Sequence, residues 1–415
     1  MRDTMRSLAA AGSRFLKNVL LFDMREYPSV TSLSSQTLGP DDVELAKAAM
    51  KNHSGWSDPD VVTRYESAFA QWNGSRHAYA FMGGRVALSA CIHALDLKPG
   101  DEVIMPGYTC VVVPNAFHYA GVRVVYSDIE LETYGLDVTR LESRITPRTR
   151  AILLQHLYGL VCRDYEAVLD LAKQHGLKVI EDCAHAAGAV YKGMNVGNRG
   201  DIAFYSSNRT KVFSTVEGGM AVTNDDGLAA RLGHFYSEAP SPEEELIEKL
   251  LKNVLLDYYS FTRSARSFAK AWTLLRYGDQ WHCSTSDEEM QGRMPSRYIA
   301  RMPAPLAALG LNQLGKLDRY NEQRRLTARR WDAWCEAHGY AKPRVVEGST
   351  PIFLRYPVLV EPEKKRDTSW AEREFGIELG IWFSGNLHPV NIRLEDCPNA
   401  DRAVKQCINF PTLLS

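Results

Sequence analysis

Neither sign of charge is in surplus in this 415-residue sequence: 49 Lys and Arg stand against 50 Asp and Glu, for a formal net charge of −1. That balance excludes a global electrostatic pull toward nucleic acid or another polyanion. Eight cysteines are present, at 91, 110, 162, 183, 283, 335, 397 and 407, but no Cys-x-x-Cys pair. Neither a zinc ribbon nor a thioredoxin-type site is therefore signalled. Several cysteines sit in apolar runs, as Cys91 does in "ALSACIHAL", where a free thiol behaves as a small hydrophobe. A reducing, cytoplasmic setting is the simpler expectation. Internal repeats and low-complexity tracts are also lacking. The opening "MRDTMRSLAAAGSRFLKNVLLF" is interrupted by Arg14 and Lys17, which leaves it too broken to span a bilayer, and no convincing small-residue cleavage site follows. As a basic, weakly amphipathic helix it is expected to pack on its own fold as an arm, with peripheral membrane contact as the alternative.

What is present is the texture of an ordinary globular protein, 45% hydrophobic and 24% charged. From about residue 76, short β-branched runs alternate with helical stretches. "EVIMP", "VRVVYSDI", "TRAILLQHLYG", "LKVIEDC" and "DIAFYSS" read as strands. "RVALSACIHALDL", "VVVPNAFHYAG" and "RDYEAVLDLAKQHG", the last ending at Gly176, read as helices. Such alternation predicts βαβ units and a mostly parallel sheet, an α/β fold.

Between about 240 and 300 the texture changes. "SPEEELIEKLLKNVLLDYYS" is expected to be a helix with Ser241 as N-cap and Pro242 at its first position. "FTRSARSFAKAWTLLRYG" is expected to continue as a basic, aromatic-rich helix serving core or subunit packing. A long helix, "APLAALGLNQLGKLDRYNEQRRLTARRWDAWCEAHG", then leads toward "PIFLRYPVLV" and "GIELGIWF", both read as strands. The expected division is an extension over 1–36, a large domain over 37–310 with the helical insertion, and a small C-terminal α/β domain over 311–415.

Ligands of open α/β sheets bind beyond the carboxyl ends of the parallel strands. Three groups fall at such ends. "LKVIED" delivers Glu181 and Asp182, with His185 just beyond; "DIAFYSS" delivers Ser206 and then Lys211; and "FMGGRVAL" puts Gly83, Gly84 and Arg85 at the start of a helix. A glycine turn opening a helix exposes N–H groups to an anion, and Arg85 and Ser206 can add donors to a phosphate. Singly, each has a plain structural reading: a turn, a cap, a solvated lysine. Together, a phosphate cradle, a carboxylate and a lysine suit pyridoxal phosphate. The lysine bonds its aldehyde, and the carboxylate keeps its ring nitrogen protonated.

The segments "GDEVIMPGYTC", "HLYGLVCRDYEAVLDLAKQHGLKVIEDCAHAAGA", "GDIAFYSSNRTKVFSTVEGGMAVTND", "ALGLNQLGKLDRYNEQR" and the closing "LHPV" and "INFPT" resemble the DegT/StrS family of nucleotide-sugar aminotransferases, from about residue 37 onward. The resemblance implies a fold-type I pyridoxal-phosphate transferase and a homodimer with its site at the subunit interface. It implies transfer of an amino group from an amino acid, expected to be glutamate, to a nucleotide-linked keto-sugar for polysaccharide or amino-sugar synthesis. It implies that Lys211 is the covalent and acid/base lysine, Asp182 the partner of the ring nitrogen, and His185 a cofactor contact where glutamine is frequent. Ser206, Gly84 and Arg85 would serve the phosphate, and Cys110 would stand where an aromatic often stacks. The sequence departs from the pattern at Gly83-Gly84-Arg85, at Cys110, in residues 1 to about 36, in lacking an evident asparagine ahead of Arg301-Met302, and in the terminal helix expected after "NFPTLLS". Two rivals share the fold: a pyridoxamine-dependent sugar dehydratase, disfavoured because such enzymes replace the lysine, and a non-catalytic scaffold. Trp56 and Tyr158 are candidates to line a sugar pocket, with core or loop packing as the alternative.

Overall fold

Apolar runs rich in β-branched residues become strands because their side chains pack on a pleated surface. Seven do so in one sheet: β1 (His77–Phe81), β2 (Glu102–Pro106), β3 (Arg123–Ser127), β4 (Thr149–Gln155), β5 (Lys178–Asp182), β6 (Ile202–Ser206) and β7 (Gly219–Thr223). The computed structural model describes residues 33–34, 36–261, 273 and 275–414, without the side chains of 261 and 279. The N-terminal arm to residue 32 and most of the basic helix expected over 261–278 lie outside the described residues.

The spatial order is β3-β2-β4-β5-β6-β7-β1. β7 runs antiparallel to β1 and β6, and the other pairs are parallel. Helix α1 (Gly84–Ala94) connects β1 to β2, α2 (Val112–Tyr119) lies between β2 and β3, and α3 (Tyr165–Gln174) between β4 and β5. Both faces of the sheet are covered, and strand alternation divides the side chains between two cores. Ile104, Ile152 and Leu154 enter one; Val103, Met105, Ala151 and Leu153 enter the other.

Helix α4 (Glu244–Phe261) begins later than the sequence suggests. Ala239 and Ser241 each precede a proline and are biased away from helical backbone, and the Pro240 carbonyl accepts a bond from the Arg301 N–H at 2.9 Å. Ser241 is thus not the N-cap. Helix α5 (Ala304–His338) ends at Gly339, whose φ of 72° closes the last turn. Beyond it, β8 (Arg355–Leu359) pairs antiparallel with β9 (Cys407–Pro411) over a third core containing Trp331, Trp334 and Phe410. "GIELGIWF" forms no strand: it meets β9 only at the isolated Gly380–Asn409 bridge, and the Asn409 side chain accepts the Trp382 N–H at 2.9 Å where a ladder would continue. The segment then runs alongside Thr109 and Cys110, with Leu387 and His388 paired parallel to them. This brings C-terminal residues to the strand ends of the large sheet. Among the described residues no helix is long and apolar enough to cross a membrane.

Candidate active site

Seven of the residues singled out from the sequence line one cavity at the carboxyl ends of β5 and β6: Gly84, Arg85, Cys110, Asp182, His185, Ser206 and Lys211. Each arrives by a different route. Gly84 opens α1 and must be small, since a Cβ there would stand 2.9 Å from the Ser206 Cβ and 3.3 Å from the Tyr205 carbonyl oxygen. The close approach sets Ser206 beside a helix N-terminus whose first-turn N–H groups have no partner within the helix. Asp182 ends β5 and is buried, its carboxylate accepting a single hydrogen bond among the described residues, from the Ala184 N–H at 3.0 Å. Burial pushes its pKa up to about 6, against the pull of that bond and of Lys211.

Lys211 rides on a loop folded back on itself, Ser207 N–H to Gly218 O at 2.9 Å and Thr215 N–H to Ser207 O at 2.8 Å. In the same loop Val216 adopts φ 69°, a conformation rare for a β-branched residue and one that collects at functional sites. The Lys211 Nζ lies 2.9 Å from His185 Nε2, and the Tyr158 N–H faces His185 Nδ1 at 3.4 Å. With Nδ1 as acceptor, the neutral imidazole carries its proton on Nε2, the nitrogen that faces the Lys211 amine. Burial lowers the Lys211 pKa, with Arg355 and Arg85 adding to the shift and Cys110 and Asp182 opposing it, and holds His185 well below its usual range. A neutral amine is the nucleophilic form of lysine.

Arg85 behaves differently from a free phosphate donor. Its Nη1 bonds both carboxylate oxygens of Glu289 at 2.5 Å, its Nη2 bonds the Ser284 carbonyl, and Glu217 lies at 3.8 Å. The guanidinium pins the glycine turn to the segment that follows α4. Cys110 sits in the cavity with its thiol pKa raised by burial. Trp56 and Tyr158 are core residues: the Trp56 indole N–H bonds the Ala49 carbonyl at 2.9 Å, and the Tyr158 hydroxyl bonds the Trp382 carbonyl.

Several other participants lie outside the residues picked out above. Thr109 Oγ1 bonds Gln155 Oε1 at 2.8 Å in the cavity wall, and strand-end logic applied to β4 would have found Gln155. Asn321 and Arg324, on α5, bond the carbonyls of Ala187 at 3.0 Å and Val212 at 2.6 Å, tying the loops after Asp182 and Lys211 to one helix. His185 stacks on Trp382 with ring centroids 5.1 Å apart, and Phe383 lines the cavity. Their distance in sequence hid them.

This architecture is that of aminotransferases of known structure. An aminotransferase, TlmJ, from Streptoalloteichus hindustanus superposes with a TM-score of 0.72 at 22% identity, over 93% of this chain and 94% of that one. The chain belongs to the DegT/DnrJ/EryC1/StrS aminotransferase family, whose model matches residues 36–251 and 261–415. Among curated relatives, the spore coat polysaccharide biosynthesis protein SpsC of Bacillus subtilis is 30% identical over 382 residues, 89% of each chain. A GDP-perosamine synthase of Caulobacter vibrioides is 44% identical over 181 residues, 44% of this chain and 48% of that one. The chain thus matches about half the length of the perosamine synthases it resembles.

Proposed function

We propose that this protein is a pyridoxal-phosphate-dependent aminotransferase that moves an amino group from an amino acid, glutamate being the expected donor, to a keto-sugar carried on a nucleoside diphosphate. The observation that carries the reading is the convergence of an underserved buried carboxylate, Asp182, and a partly buried lysine, Lys211, on one cavity beside a helix N-terminus. The relatives' names, a GDP-perosamine synthase and a spore coat polysaccharide protein, support a nucleotide-linked sugar and a polysaccharide context.

The residues fit the cofactor. At Gly84 a Cβ would fill the space against Ser206, which is the mark of a cradle built for close approach of an anion. Asp182, its pKa raised to about 6 with a single donor on it, suits a partner bearing an N–H⁺. When bound, pyridoxal phosphate supplies an aldehyde for amine chemistry and a ring that takes up electron density from the substrate carbon. Gly84 and Ser206 would hold the phosphate, Arg85 adding positive charge from its ion-paired side chain. Asp182 would keep a proton on the ring nitrogen, and Cys110 and His185 would face the cofactor. The Lys211 amine would anchor the cofactor and carry the proton between reacting carbons. The lysine supports transamination over sugar dehydration.

The proposal extends to organisation: a large lobe over 37–310, a small one over 311–415, and a homodimer in a cytoplasmic setting. The direct test supplies purified protein with pyridoxal phosphate, L-glutamate and a panel of GDP- and UDP-linked keto-sugars. Appearance of 2-oxoglutarate in step with an aminated sugar is the expected outcome. Release of 2-oxoglutarate with no acceptor turning over would redirect the search to other acceptors. No amine transfer from any amino acid would refute the reading.

A further inference from the structure

Arg355 enters the account above only through its effect on Lys211, yet its surroundings are unusual. It opens β8 at 2% exposure, and two of its three guanidinium nitrogens, Nε and Nη1, are buried with no hydrogen-bond partner. The third, Nη2, bonds a neutral acceptor, the Leu33 carbonyl, at 2.6 Å. Among the described residues no carboxylate is within ion-pair distance of it, and burial holds its pKa down to about 9, with Glu378 opposing that shift from further away. A second buried guanidinium, Arg324, adds to the positive field and likewise has only neutral acceptors, Asn321 and the Val212 carbonyl. Cations are seldom buried without a counter-charge, because desolvation is then uncompensated. The natural complement of such a group is an anion.

The position of Trp382 indicates where that anion would come from. Its indole lies 4.9 Å from the Arg355 guanidinium carbon, 5.4 Å from Lys211 Nζ and 5.1 Å from the His185 ring. The same indole is thus in contact with both the unsatisfied guanidinium and the lysine amine. The Trp382 backbone is fixed, its N–H on Asn409 and its carbonyl on Tyr158 and Asn409, while the half-buried indole is held by ring contacts. With the backbone held, rotation of the Trp382 side chain is the movement that would uncover Arg355. The place of the ring would then be bordered by the Arg355 guanidinium and the Lys211–His185 pair, groups that suit the carboxylate and the amine of one small molecule.

We infer that Arg355 is a carboxylate-binding residue for the amino-acid donor, and that Trp382 covers it until the donor enters. The inference rests on the aminotransferase reading for the donor's identity but not for its test. Calorimetric titration of the cofactor-loaded protein with glutarate, a dicarboxylate with no amine to react, should show binding that Arg355→Met weakens about 10- to 100-fold, the range expected for loss of charged hydrogen bonds. Arg355→Lys, which keeps the buried charge, should retain part of it, and Trp382→Ala should bind more tightly than the parent. Cofactor absorbance should show all three variants loaded to the same extent as the parent. In steady state the same Arg355→Met should raise the KM for glutamate and leave the KM for the nucleotide-sugar within about twofold. Glutarate bound equally by the parent and by a folded Arg355→Lys or Arg355→Met, or not bound by the parent at all, would overturn the inference. So would a larger rise in the sugar KM, which would assign Arg355 to the diphosphate. If the parent transfers no amine but binds glutarate through Arg355, the reading of turnover fails and the anion site stands.

Discussion

Glu181 and Asp182 are adjacent carboxylates at the end of the same strand, both buried, and they are treated in opposite ways. Glu181 accepts bonds from His156 Nε2 at 3.1 Å, the Tyr165 hydroxyl at 2.5 Å, and the N–H groups of Gly197, Arg199 and Gly200 at 2.7, 2.9 and 2.6 Å. Those donors hold its pKa down to about 2 in spite of full burial. Asp182 has one donor and is pushed up to about 6. His156, Glu181 and Cys183 bring ligand-type atoms within 4.8 Å of one another, but with five donors on Glu181 they read as a closed hydrogen-bond network. Alternation along the strand sends one carboxylate to a saturated structural role and its neighbour to the cavity. A buried acid left short of partners marks the site; burial alone does not.

The largest effect is expected at the amine that Asp182 faces across the cavity. Lys211→Ala should cut amino transfer by at least about 10³-fold, since both its covalent and its proton-transfer roles are lost. Urea unfolding should be nearly unaltered, because a partly buried lysine is being relieved of its desolvation. A large loss of stability together with activity would make Lys211 structural.

Next come the two carboxylates, for which stability should change in opposite directions. Glu181→Ala strands five donors, and at about 1–3 kcal/mol for each buried unsatisfied group the protein should lose at least about 5 kcal/mol, a large part of a typical domain's stability. Asp182→Asn should do the reverse in the cofactor-free protein. With its folded pKa raised, the Asp182 carboxyl favours the fold fully only below its unfolded value of 3.8, and that contribution is lost as pH rises through about 6. Removing the charge should therefore add up to about 3 kcal/mol at pH 8 and nothing near pH 3, while abolishing turnover. Denaturant titrations at the two pH values would decide it. Equal destabilisation by both variants would erase the distinction drawn between them.

The smallest effect is expected at the phosphate cradle. Ser206→Ala should weaken pyridoxal phosphate binding about 10-fold by removing one hydroxyl donor to a charged oxygen, measured by fluorescence titration. No change in affinity would move the phosphate elsewhere in the cavity.

Much of this was legible in the sequence, for physical reasons. The parallel strands are apolar runs that alternate with helical periodicity, so the parallel part of the sheet follows from local pattern. Residues at strand ends such as Asp182 and Ser206 could be assigned to one cavity from topology alone. The functional difference between Glu181 and Asp182 could not, because the donors that saturate Glu181 come from residues 156, 165 and 197–200. The Arg85 ion pair with Glu289 spans 204 positions, and the approach of Trp382 to His185 depends on how the C-terminal segment lies along Thr109 and Cys110. Contacts across such separations are set by tertiary packing and leave no periodicity to read.

The most direct measurement is chemical: incubate the protein with pyridoxal phosphate, reduce with borohydride, digest, and locate the cofactor mass by peptide sequencing. A single adduct on Lys211, absent from Lys211→Ala, is the expected result. An adduct on another lysine, or none on a folded protein, would contradict the assignment of this cavity as a pyridoxal-phosphate site.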